Sequence, residues 1–133
     1  MPPEGFEPFR QWLRIAESDL AVARAPLPSG ALYEQLCFHA QQAAEKSLKA
    51  VLIFRDVDFP RTHSIEHLVE LLPPDVSRPA FLREAANLTD YAVTLRYPPT
   101  RESVDEEEYL EAVRLAEAVV AWAKDYLATQ DAE

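Results

Sequence analysis

The sequence predicts an all-α protein, an antiparallel bundle of four long helices plus one short one. Three observations carry this. Apolar residues recur at spacings of three and four along the chain, and no segment alternates polar and apolar residues as a half-buried strand would. All eleven prolines, at positions 2, 3, 8, 26, 28, 60, 73, 74, 79, 98 and 99, fall where they can separate helices. An acidic stretch with a capping pattern opens the last apolar-periodic segment.

The first helix is expected over Phe9–Ala25, with Phe9, Trp12, Leu13, Ala16, Leu20 and Ala23 on one face. "PLPSG" ends it. Ala31–Phe54 forms the second, with Asp56 as its farthest limit, and "RDVDFPRT" is a loop. A short helix over Ser64–Leu72 aligns Ile65, Leu68, Val69 and Leu72 before "PP" stops it, with Thr62, His63 or Ser64 as its cap. The fourth runs Pro79–Leu95 through Leu82, Ala85, Ala86, Leu88, Ala92 and Leu95. Ser103 and Glu106 form a capping-box pattern before the fifth, Val104 to about Ala128. There Asp105, Glu106, Glu107 and Glu108 meet the positive end of the helix dipole.

At 133 residues the chain fits one domain, 1–133, with a single sizeable core. Its 48% hydrophobic content argues against disorder. No apolar run approaches the roughly 18–20 residues of a membrane span, and "MPPEGFEPFRQW" lacks the apolar centre of a secretory signal. One cysteine, Cys37, excludes a disulfide within the chain and fits a reducing cytoplasm, the expected location. Its residue type fits a small buried apolar side chain better than a catalytic thiol. With glycine only at positions 5 and 30, no phosphate-cradling glycine loop can be built.

The net charge of −10 is uneven: −3 over residues 1–45, +1 over 46–101 and −8 over 102–133. Uniform binding to nucleic acid needs clustered Lys and Arg, so any basic site is confined to the middle segment. Catalytic patterns are sparse. "HSIEH" (His63, Glu66, His67) matches a zinc-protease spacing, yet "PRTHSIEH" equally reads as an ordinary helix start, so no metal ligand is assigned. The Glu-x-x-His pairs of di-iron bundles are absent, since Leu36, Pro60 and Ser64 stand three before the histidines. A Ser-His-Asp arrangement has no nucleophile elbow to support it.

"LCFHAQQAAEKSLKAVLIF", Leu36 to Phe54, sets a row of polar groups along the second helix, including His39, Gln42, Lys46 and Lys49. Their spacing suggests a hydrogen-bonding surface or an interface between protomers, supported by neighbouring-turn pairs such as Glu45 with Lys49.

"FHAQQAAEKSLKAVLI", then "RTHSIEHLVELL", then "LRYP" resembles, in that order, the HEPN domain (higher eukaryotes and prokaryotes nucleotide-binding). The resemblance runs from "WLRIAESDLAVAR" through "YLEAVRLAEAVVAW", nearly the whole chain, and implies an antiparallel helical bundle that forms homodimers. Many prokaryotic members pair with small nucleotidyltransferases in toxin–antitoxin systems. Ribonuclease members carry an arginine followed after four to six residues by a histidine; Arg96 matches the arginine, but Arg101, Glu102 and Ser103 stand at the histidine spacing. Arg61 and His67 share that spacing at the earlier loop and short helix, where it is read as coincidence.

The resemblance therefore implies a non-catalytic nucleotide-binding or regulatory subunit, an adaptor for a small nucleotidyltransferase, with no cofactor. Arg96, Tyr97 and Arg101 are its candidate phosphate- or nucleotide-binding residues: arginine donates two parallel bonds to a phosphate, tyrosine a hydroxyl or a stacking ring. The alternatives are an RNA-cleaving toxin with a departed active site around Arg96, and a purely structural helical homodimer.

Overall fold

The computed structural model describes residues 7–94 and 103–131. All regular structure among them is helical: α1 (Pro8–Ala23), α2 (Tyr33–Phe54), α3 (Ile65–Glu70), α4 (Ala80–Glu84), a 3₁₀ stretch (Ala85–Thr89), α5 (Asp90–Thr94) and α6 (Glu106–Asp131). α2 is the hub. It packs on α1, α3, the 3₁₀ stretch, α5 and α6.

Small side chains make that hub workable. Ala40, Ala43, Ala44 and Ala50 are all fully buried on α2, so neighbouring backbones approach closely around Cys37, Leu48, Val51 and Leu52. From α1 come Ala16, Leu20 and Ala23, and from α6 Ala112, Leu115, Ala116, Val119, Val120, Ala123 and Leu127. An aromatic chain closes one end: Phe9 meets Phe54 edge-on at 5.0 Å, Phe54 meets Tyr126 at 6.4 Å, and Tyr126 stacks with Trp122. At the other, Tyr33 stacks on Tyr109 at 5.0 Å and the Tyr109 hydroxyl donates to the Ala23 carbonyl. Burial raises the Tyr109 pKa.

The helix ends follow local chemistry. Pro8 opens α1, where its missing N–H is no loss. Ser64 caps α3, its Oγ accepting from His67 N at 3.1 Å. α6 is capped by Asp105, whose Oδ1 accepts from Glu108 N at 2.8 Å, and not by Ser103 as the capping-box pattern suggested. Asp105 lies immediately before the first helical residue, where a cap must stand to reach the free N–H groups. α2 ends on a Schellman motif, with Val57 N on Leu52 O at 2.9 Å and Asp56 N on Ile53 O at 3.0 Å. Asp56 takes the left-handed conformation there, φ 57°.

The expected continuous helix over 79–95 is instead broken into α4, a 3₁₀ turn and α5. Asn87 and Thr89 are poor helix formers, and the Thr89 hydroxyl accepts from Ile65 N at 3.2 Å. The tighter winding also stacks buried Ala85 and Leu88, three apart, on one side. Leu95, at the end of that expected helix, lies outside the described residues.

Register between α1 and α6 is marked by charge. Arg10 pairs with Asp131, Glu17 with Lys124 at 3.6 Å and Arg24 with Glu117 at 2.7 Å, at intervals of seven on both antiparallel helices. Each exposed pair stabilises little. A slip of one heptad, however, would set Arg10 against Lys124 and Glu17 against Glu117, so the reversed middle pair selects one alignment.

This packing can be tested at its hub and at its rim. Leu48→Ala removes a fully buried side chain from α2 and is expected to lose about 2–5 kcal/mol of stability, read as a lower urea midpoint. The rim responds to acid. Arg55 donates to Asp75 at 2.9 and 3.1 Å, holding that carboxyl below its ordinary value of 3.8. A depressed folded-state pKa contributes stability that is present above the ordinary value and lost as pH falls through the folded one. Melting curves of wild type and Asp75→Asn should therefore differ at neutral pH and converge in strong acid.

Candidate functional site

The polar row of α2 is built around two carboxylates. His39, Gln42, Lys46 and Lys49 recur at three, four and three residues, which keeps them along one side of the helix; Gln41 and Glu45 occupy the adjoining row. Asp19, from α1, lies between His39 and Lys46: its Oδ1 is 3.0 Å from His39 Nδ1 and its Oδ2 3.0 Å from Lys46 Nζ. Glu45 repeats the arrangement deeper in the fold. Its Oε1 is 2.8 Å from His63 Nδ1 and its Oε2 accepts from Lys49 Nζ at 2.9 Å.

The Glu45 centre is the more enclosed. Only 3% of its side chain and 9% of that of Lys49 are exposed, so both charges depend on each other and on added hydrogen bonds. Gln41 supplies them, its Nε2 donating to Glu45 Oε1 and to the His63 carbonyl, each at 3.0 Å. Gln42 extends the chain, donating to Gln41 Oε1 at 2.6 Å. The Lys49 ammonium also lies 5.5 Å from the ring centres of Trp12 and Phe59, which meet edge-on at 6.3 Å. One cluster thus joins α1, α2 and the loop into α3.

Gln42 and Lys49 are therefore buried within the chain and do not form the solvent- or protomer-facing surface expected of them. Lys49 can be buried because Glu45 neutralises it and two rings flank it; Gln42 because its amide joins the network. His39 and Lys46 are partly exposed, but tied to α1 through Asp19. Arg96, Tyr97 and Arg101 lie outside the described residues. Nothing in the sequence pattern marks Asp19, and His63 stands out there only for its spacing to His67.

Chemically, a carboxylate at Nδ1 calls for the proton on that nitrogen and leaves Nε2 as the second hydrogen-bonding atom of each imidazole. With 35% and 47% of their side chains exposed, His39 and His63 remain accessible to a ligand. Two oriented imidazoles can hydrogen-bond a phosphate or a base, or carry a proton. Among the described residues no group of three or more His, Cys, Asp or Glu side chains is gathered as a metal site.

The sequence pattern of the HEPN domain matches residues 9–126, across nearly all of this architecture. The chain belongs to the HEPN family. Two solved structures share its fold. TT1696 from Thermus thermophilus is 34% identical, with a TM-score of 0.74, over 88% of this chain and 96% of its own. ST0689, described as an archaeal HEPN homologue, is 29% identical, with a TM-score of 0.70, over 92% of this chain and 99% of its own. Among curated proteins none matches. The family supplies a setting for the α2 network: it lies within the matched HEPN region, on the helix whose "FHAQQAAEKSLKAVLI" carries the sequence resemblance.

The network has a testable energetic signature. Glu45→Gln leaves the Lys49 ammonium buried without its counter-charge and is expected to cost about 3 kcal/mol or more. Adding Lys49→Met removes that orphaned charge, so the double variant should recover a large part of the loss in urea unfolding. Strictly additive losses would show the pair to be uncoupled.

Proposed function

We propose that this HEPN protein is a non-catalytic nucleotide-binding or adaptor subunit, working as a homodimer beside a small nucleotidyltransferase in a toxin–antitoxin pair. The observation that carries the reading is the residue content after Arg96: Arg101, Glu102 and Ser103 stand where ribonuclease members have histidine. Arginine stays protonated near neutral pH and is a poor general base, and tyrosine holds its proton there as well. His39 and His63 are paired through Nδ1 with Asp19 and Glu45, in the cluster that joins α1, α2 and the loop into α3. Beside Arg96 in the sequence stand Tyr97 and Arg101, residue types suited to holding an anion through a guanidinium fork or a phenol.

Membership of the HEPN family supports the adaptor role, since the resemblance implies partners of the nucleotidyltransferase class. The local charge agrees with it. Residues 102–133 carry −8, which opposes approach of a polyanion such as RNA while leaving a mononucleotide free to bind a small cationic site.

The test compares wild type with Arg96→Ala at fixed salt, using labelled RNA for cleavage and the complex purified from its native source for bound nucleotide and partner. The expected outcome is no cleavage by either protein, with nucleotide or partner binding weakened about tenfold by the substitution, the scale of a lost charge-assisted pair. Metal-independent cleavage by wild type that Arg96→Ala abolishes would overturn this reading in favour of a ribonuclease centred on Arg96, Tyr97 and Arg101.

A further inference from the structure

We propose that the groove between the start of α4 and the last turns of α6 is a docking site for an arginine-bearing segment of a partner protein. The groove is open, about 600 Å³, and its walls include Pro79, Phe81, Ala118, Trp122, Asp125 and Tyr126. Trp122 and Tyr126, one turn apart on α6, stack at 6.2 Å with 19° between their planes. Tyr126 is held in place from behind, its hydroxyl accepting from Arg55 at 2.9 Å while Asp75 neutralises that arginine.

Three other rings of the described residues have a cation against them. Arg10 lies 5.1 Å over Phe9, and Lys49 lies 5.5 Å from both Trp12 and Phe59. Among the described residues no cation lies over Trp122 or Tyr126. Beside the two rings Asp125 is exposed, and it has no hydrogen-bond or ion-pair partner among the described residues. The neighbouring Lys124 is turned to Glu17 on α1. Thr129 and Gln130 extend the groove to the C-terminal end of α6, where the helix dipole also favours positive charge.

Arginine meets these features together. Its planar guanidinium stacks on an aromatic face and forks toward a carboxylate, which the compact ammonium of lysine does not do. A free guanidinium would fill only a small part of the groove. The apolar wall of Pro79, Phe81 and Ala118 accommodates the side chains that flank an arginine in a polypeptide, and the exposed Asp125 supplies the complementary charge. The occupant is defined by its guanidinium and not by an enzyme class, so the proposal goes beyond the adaptor reading and does not depend on it.

The probe is a blocked tripeptide with arginine between two leucines, titrated into the full ¹⁵N-labelled chain, with the neutral citrulline tripeptide as control. The Trp122 indole N–H resonance should shift while that of Trp12 does not. Citrulline for arginine, and separately Asp125→Asn, should each weaken binding about fivefold, as for an exposed cation–aromatic contact joined to an ion pair. Asp125→Asn changes an exposed side chain, so its thermal midpoint should stay at the wild-type value. Equal binding of the two peptides, indifference to Asp125→Asn, or no binding at millimolar peptide would overturn the proposal. Self-association of the chain that Asp125→Asn abolishes would overturn it too, by making a second copy the occupant.

Discussion

The burial of one carboxylate, Glu45, is the constraint on which much of the bundle depends. A charged carboxylate with almost no exposure is tolerated only where opposite charge and hydrogen-bond donors surround it. Here the donors come from three places. Lys49 and Gln41 lie one turn to either side on α2, and His63 arrives from the loop before α3. Moving that loop by a few ångströms would expose an unsatisfied charge to an apolar interior. Lys49 transmits the constraint to α1, because its ammonium sits against Trp12 as well as Phe59. An apolar residue at 45 could fill the space but could not dictate where the loop and α1 lie. The polar centre specifies geometry where the alanine-rich contacts, being smooth and small, specify little.

The same division of labour is seen around α1 and α6. Alanines let the helices come close, yet a face of small side chains permits sliding. The charged seam of Arg10, Glu17 and Arg24 against Asp131, Lys124 and Glu117 contributes little free energy, but it makes the displaced alignments repulsive. Aromatic contacts pin the two ends, with Tyr33 on Tyr109 and Phe54 on Tyr126. Buried polar groups, a surface charge pattern and end stacking thereby give a unique arrangement to a core of modest side chains.

Much of the helical layout was legible because apolar periodicity depends only on neighbours along the chain. Ile65, Leu68, Val69 and Leu72 are buried as their spacing indicates, and Leu48 lies in the core. Features decided by tertiary contact were not legible. Asp56 ends α2 in a left-handed conformation without the glycine that would have signalled it. The break at Ala85–Thr89 depends on a Thr89 bond to Ile65, a residue outside its own segment. In the site, residue types were readable and burial was not. Lys49 and Gln42 look solvent-facing on a helical projection because hydrophobicity alone cannot reveal partners. Asp19 and His63 are 20 and 18 residues from the groups they join, His39 and Glu45, and no periodicity connects them. The family resemblance was legible for a different reason: it lies in the order of short motifs, "QQAAEKSLKA" before "TH" and then "RYP", and order along the chain needs no knowledge of contacts.

Charge distinguishes α2 from α6. On α2 the cationic groups face inward or onto Asp19 and Glu45, so each lysine there is neutralised by a carboxylate before a ligand arrives. On α6 most of the described carboxylates are exposed; Glu111 is matched by Arg114, Glu117 by Arg24 and Asp131 by Arg10. The net charge of −10 is accordingly a surface property of the α6 side more than of the α2 side. Long-range fields act on encounter before contacts form, so this surface selects among partners by sign. A polyanion meets repulsion along α6, whereas a cationic protein segment is drawn to it. A surface with that asymmetry attracts cationic and repels anionic ligands before any contact forms, so sign alone sorts what reaches α6.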